Sequence, residues 1–167
     1  MINFLYSIYR RYPLLRLLKT KLRLPTPIIS STIFWSDKYK ICFKFYAPIP
    51  TALKARRRGI ESTILRTALH LFNYDVKHAS SKTIIDIGAN WGFLTLVFAK
   101  TLAFPNGKVF SFEPHPTIFK YLSLAVKKNN LNKIISPFQL VVGNKTSDII
   151  LNIFPTTSNA LGNSIKK

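Results

Sequence analysis

The chain has 167 residues, 47% apolar and 13% aromatic, which suits one globular domain and excludes an intrinsically disordered polymer. Twenty-five Lys and Arg against six Asp and Glu give a formal net charge of +19, a balance that favours anionic partners. A lone cysteine excludes a disulfide framework or multi-cysteine zinc site, and no run approaches the ~18 consecutive apolar residues of a membrane span.

Residues 1–26 hold six basic residues, Arg10, Arg11, Arg16, Lys19, Lys21 and Arg23, and no acid. The apolar stretch Met1–Tyr9 precedes these charges, the reverse of a secretory signal, so the expectation is a cytoplasmic protein. From Leu14 to Leu24 the leucines at 14, 15, 18 and 22 share one helical side, and Arg16, Lys19 and Arg23 the other. This is a basic amphipathic helix ended by Pro25 and Pro27. It serves either as a peripheral anchor on anionic membrane or as a helix that packs its leucines on the domain.

Residues 28–81 form a second zone. Ile28–Trp35 and Lys40–Tyr46 are rich in β-branched and aromatic residues and read as a strand pair, turning at Ser36-Asp37-Lys38. Cys42 within it is expected as a small buried residue. Pro48 and Pro50 break the pattern, and Arg56-Arg57-Arg58-Gly59 reads as a solvated loop. A helix follows from Ile60 to about Phe72, with Ile64, Ala68 and Leu71 as its apolar face.

Residues 82–167 have a βαβ rhythm. Thr83–Ile87 is a buried-strand pattern, Phe93–Leu102 a helix and Lys108–Glu113 a second strand. Pro116 opens a helix with Ile118, Leu122 and Ala125 inward, ending near Asn129-Asn130. Ile135–Val142 reads as a third strand and Ile149–Phe154 as a fourth extended piece. Strands alternating with helices of this length predict an α/β fold with a parallel sheet.

The stretch richest in chemistry is Asp86-Ile87-Gly88-Ala89-Asn90-Trp91-Gly92, where the first parallel strand meets its helix. Ligands of open α/β sheets bind outside such carboxyl ends. Small residues at Gly88, Ala89 and Gly92 let a ligand approach the backbone closely. Neither the dinucleotide fingerprint nor the phosphate loop is present, because only Gly88 and Gly92 are glycine and no Gly-Lys-Ser or Gly-Lys-Thr follows. An acid opening the turn suits a cationic or hydrogen-bond-donating ligand group better than a pyrophosphate. Glu113, at the end of the next strand, can accept the hydroxyl protons of a ribose, and Pro114 and Pro116 stiffen its turn. Together these features fit S-adenosylmethionine. Trp91 and Thr95 are expected to wall the pocket and cap the helix.

The runs Asp86-Ile-Gly-Ala-Asn-Trp-Gly-Phe-Leu-Thr-Leu, Val109-Phe-Ser-Phe-Glu-Pro-His-Pro and Tyr121-Leu with Lys128-Asn-Asn-Leu resemble FkbM-type S-adenosylmethionine-dependent methyltransferases. Arg58-Gly-Ile-Glu61 is similar to the short acidic motif that precedes the first strand in that family. The resemblance implies a Rossmann-like class I methyltransferase sheet and methylation of a hydroxyl on a sugar, polyketide or similar acceptor. It also implies that Asp86, Gly88, Asn90 and Gly92 surround the methionine part of the cofactor and Glu113 the ribose. Glu61 joins them by its motif, although a helix-start glutamate accounts for it equally through the dipole. His115 stands where the family carries a small polar residue and receives no catalytic role. The family continues with a further acid-Gly strand that is not found here, so the chain reads as the first half of the catalytic domain.

A different class of function stays open: a non-catalytic basic module binding anionic membrane or nucleic acid. No recognition motif specific for nucleic acid appears. A half-sheet leaves Thr83–Ile87 as an edge and is expected to bare Leu94, Val97 and Phe98 and to self-associate.

Overall fold

A computed structural model describes residues 27–35, 41–75, 82–153 and 164–166. The basic helix expected within residues 14–24, the turn at 36–38 and His78 lie outside them. Two antiparallel strands come first, β1 (Ile28–Trp35) and β2 (Ile41–Pro48), with Ile28 opposite Pro48 and Trp35 opposite Ile41. Their alternation buries Ile33, Phe43, Phe45 and Ala47 on one face. Cys42 points the other way and is exposed, contrary to expectation, because it falls on the outward phase of that alternation.

The arginine run is not a loop. Helix α1 (Ile49–Arg58) ends on it, and Pro50 stands in its first turn, where a missing N–H is no loss. Arg56, Arg57 and Arg58 occupy its last turn, where cations complement the dipole. Gly59 closes it with a positive φ of 73°. Helix α2 (Ser62–Asp75) then buries Leu65 and Leu69, with Phe72 partly covered, and of the expected face only Ala68 turns toward the core. Ile64 and Leu71 are 59% and 62% exposed. Two apolar stripes one residue apart compete on this helix, and packing against the core selects Leu65 and Leu69. Leu65→Ala is therefore expected to cost about 2–5 kcal/mol, and Ile64→Ser or Leu71→Ser less than about 0.5 kcal/mol, by chemical unfolding.

The α/β unit follows: β3 (Thr83–Ile87), α3 (Phe93–Thr101), β4 (Lys108–Phe112), α4 (Pro116–Lys128) and β5 (Ile135–Phe138). The three strands form one parallel sheet in the order β3-β4-β5. This is the expected Rossmann-like α/β arrangement, with β3 on the edge among the described residues. The third strand stops at Phe138, short of Val142, and carries Pro137, which cannot donate to a ladder. The fourth extended piece does not join this sheet. It forms β6 (Ile150–Asn152), paired antiparallel with β7 (Ser164–Lys166).

Val97 and Phe98 are buried and Leu94 is partly covered, so α3 is not bared as expected. The β1–β2 hairpin covers it. The Phe93 ring meets Phe43 and Phe45 edge-on, each at 5.7 Å. The hairpin is also tied to the end of α4, where Asn129 imitates a neighbouring strand. Its Oδ1 accepts from Lys44 N and its Nδ2 donates to Lys44 O, both at 2.8 Å. Phe45→Ala is expected to cost about 3–5 kcal/mol because it opens a cavity in this layer.

Candidate functional site

The carboxyl ends of β3 and β4 lie side by side, with Ile87 opposite Phe112. Beyond β3 the chain turns through Gly88, Ala89, Asn90, Trp91 and Gly92 before α3 begins. Gly88, Asn90 and Gly92 all hold positive φ, at 75°, 52° and 82°. The two glycines have different reasons to be glycine. A methyl group on Gly92 would collide with the Leu122 side chain, so this residue lets α4 pack close. A methyl group on Gly88 would meet nothing within 4 Å. Gly88 borders open space.

Every backbone N–H from residue 88 to residue 92 is already engaged. Gly88 N and Ala89 N both donate to Phe112 O at 2.9 Å, and Gly92 N donates to Ala89 O. Asn90 N donates to Glu113 Oε2 and Trp91 N to Asn90 Oδ1, both at 2.9 Å. Such a turn offers no cradle of free amides to a phosphate. Ala89 itself packs its methyl into the core.

Glu113 follows β4 directly and is buried. Its Oε1 accepts from His115 N at 2.9 Å while Oε2 accepts from Asn90 N, so one carboxylate binds the β4 end to the β3 turn. His115 caps the start of α4 by accepting from Thr117 N and Ile118 N at Nδ1, at 3.2 and 3.5 Å.

Asp86 is half-buried at the end of β3. Thr95, fully buried in the first turn of α3, donates its hydroxyl to Asp86 Oδ2 at 2.5 Å. Contrary to expectation Thr95 does not cap the helix: α3 starts from Gly92 with no side-chain cap, and the Thr95 hydroxyl goes to Asp86 instead. Burial raises the Asp86 carboxyl above its ordinary 3.8, the Thr95 hydroxyl opposes this, and the charge of Glu61 pushes it further up. Glu61 is exposed, in the left-handed region at φ 51°, and its carbonyl accepts from Leu65 N as α2 begins. Glu61, just before α2, lies within electrostatic reach of Asp86. Of the expected site residues, Asp86, Gly88, Asn90 and Glu113 lie together at the carboxyl ends of β3 and β4, with Glu61 in electrostatic reach of Asp86, whereas Ala89 and Gly92 serve packing. Sequence reasoning missed that the Asn90 amide and the Glu113 carboxylate hold each other.

The Asp86 shift has a consequence for stability. Its folded-state pKa exceeds the unfolded one, so the folded chain binds the proton more tightly. Stability is then expected to fall as pH rises from about 3.8 through the raised value. Asp86→Asn keeps an acceptor for Thr95 and should remove that fall. Urea unfolding between about pH 3 and about pH 7 checks this, and equal pH slopes for both proteins would contradict it.

A concavity of about 300 Å3 is lined by Ile41, Lys100, Phe104, Asn129, Leu131 and Ile134, among others. It lies at the C-terminal ends of α3 and α4, away from the acids. No group of three or more His, Cys, Asp or Glu that could hold a metal exists among the described residues, and no described helix is long and apolar enough to cross a membrane.

No family model and no curated protein matches the sequence. Among solved structures, the chain is similar to a delta-N METTL16 MTase domain, with 17% identity over 57% of this chain and a TM-score of 0.41. A second crystal form of the METTL16 MTase domain gives 21% identity over 56% and a TM-score of 0.40. A SAM-dependent methyltransferase from Agrobacterium tumefaciens gives 13% identity over 69% and a TM-score of 0.42. The matches cover 40%, 41% and 34% of those chains, so this chain spans well under half of their length.

Proposed function

We propose that the carboxyl ends of β3 and β4 bind S-adenosylmethionine and that the chain carries the cofactor half of a methyltransferase site. The observation that supports this reading is chemical. The turn has no free amide for a phosphate, while the acceptors Glu61, Asp86 and Glu113 gather beside the open space at Gly88. A ligand rich in cationic and hydroxyl groups matches such a set. Asp86 and Glu61 would take the ammonium end, and Glu113, whose carboxylate oxygens keep further lone pairs, the ribose hydroxyls.

The cofactor, when bound, supplies a methyl group on a positively charged sulfur. Asp86, Glu61 and Glu113 would hold it so that this methyl could be offered to an acceptor oxygen. Holding the two reactants in line provides much of the rate. In the FkbM-type reading the acceptor is a hydroxyl of a sugar, a polyketide or a similar molecule.

Calorimetric titration with S-adenosylhomocysteine tests the proposal. Wild type is expected to bind, and Asp86→Ala to bind at least about tenfold more weakly, the loss of one charge-assisted contact. Equal binding by both, or none by wild type at millimolar ligand, would sink it.

A further inference from the structure

The concavity at the C-terminal ends of α3 and α4 lies apart from the acids. Its walls come from β2, from the end of α3 and the segment after it, and from the turn that leads from α4 into β5. Ile41, Phe104, Leu131 and Ile134 give it apolar surface. Leu131 and Ile134 belong to the buried core, which anchors that wall, whereas Phe104 is 64% exposed. The polar groups are few. Asn129 lines the cavity, but its side-chain amide is engaged with Lys44. No lining residue is acidic, and the Lys100 ammonium has no ion-pair partner among the described residues. Apolar walls around one placed charge are the pattern of a small-molecule site, and a volume of about 300 Å3 suits a small one.

We propose that this cavity binds a medium-chain carboxylate, its alkyl chain against Ile41, Phe104, Leu131 and Ile134 and its carboxylate on the Lys100 ammonium. Two effects of opposite sign meet here. A helix C-terminus presents about half a negative charge, which opposes an anion. The last carbonyls of α4 are already engaged, because Asn129 N, Asn130 N and Leu131 N donate to Ala125 O, Lys127 O and Val126 O. Lys100 stands in the last turn of α3, and Lys127 and Lys128 in that of α4, each a full positive charge. The lysines outweigh the dipoles. A cleft with low-dielectric walls then focuses their field on an incoming anion. One ammonium within the cavity matches a singly charged carboxylate better than a phosphate dianion. This site shares no residue with the cofactor reading and does not depend on it.

Cys42 makes the test specific, because it is the only cysteine of the chain, is exposed and lines the cavity. Saturating octanoate is expected to slow alkylation of Cys42 by iodoacetamide at least about fivefold, since access governs the rate. The neutral counterpart 1-octanol should bind at least about tenfold more weakly by the same readout, for want of the charge-assisted contact. Lys100→Gln should weaken octanoate at least about tenfold and leave 1-octanol unchanged. Lys120→Gln removes the same charge from an exposed position on α4 outside the cavity and should change neither. No protection of Cys42 at millimolar octanoate, equal protection by the two ligands, or equal losses for the two lysine variants would overturn the proposal.

Discussion

Glu113→Ala is expected to cost about 2–4 kcal/mol, because two N–H groups, one part-buried on Asn90 and one buried on His115, lose a charged acceptor at once. The loss is not confined to one contact. Glu113 joins the β3 turn to the start of α4, so its removal frees Asn90 from its left-handed position and loosens the His115 cap together. Glu113→Gln keeps one acceptor oxygen and should cost about 1–2 kcal/mol. Urea unfolding of the three proteins at one temperature gives both numbers. A loss below about 1 kcal/mol for Glu113→Ala would mean that the carboxylate is not the joint described here.

The second large effect separates two glycines that look alike in sequence. Gly92→Ala should cost about 2–4 kcal/mol, because a left-handed backbone and a collision with Leu122 add together. Gly88→Ala carries the backbone strain alone, about 1–2 kcal/mol, since nothing stands near its methyl. Ligand binding should show the opposite order. Gly88→Ala projects its methyl into the open space assigned to the cofactor and is expected to weaken S-adenosylhomocysteine by more than tenfold, a loss of about 1.4 kcal/mol or more. Unfolding and calorimetry on the same two variants check both orders.

The local signals were legible in sequence where one choice dominated. Pro116 at a helix start and Asn129 at its end mark α4 correctly, and the Thr83–Ile87 and Lys108–Phe112 strands stand where β-branched and aromatic residues cluster. The misreadings share a cause in tertiary context. On α2 the stripes Ile64–Leu71 and Leu65–Leu69 have equal period, and only the core decides between them. Pro48 and Pro50 read as breakers, yet proline at the head of a helix starts it. The cover over α3 comes from Phe43 and Phe45, some fifty residues before Phe93, a contact no local pattern reports. At the site, residue types announced the acids. The pairing of Glu113 with the Asn90 amide depends on two strand ends being neighbours and so became visible only in the fold.

Backbone amide NMR during titration with S-adenosylhomocysteine tests the central claim most directly, because it reports where a ligand binds as well as whether it does. The account predicts shifts concentrated at Glu61, Asp86, Gly88, Asn90, Glu113 and His115, with little change around the distant cleft of Lys100, Asn129 and Leu131. Shifts centred on that cleft, or none at millimolar ligand, would contradict it.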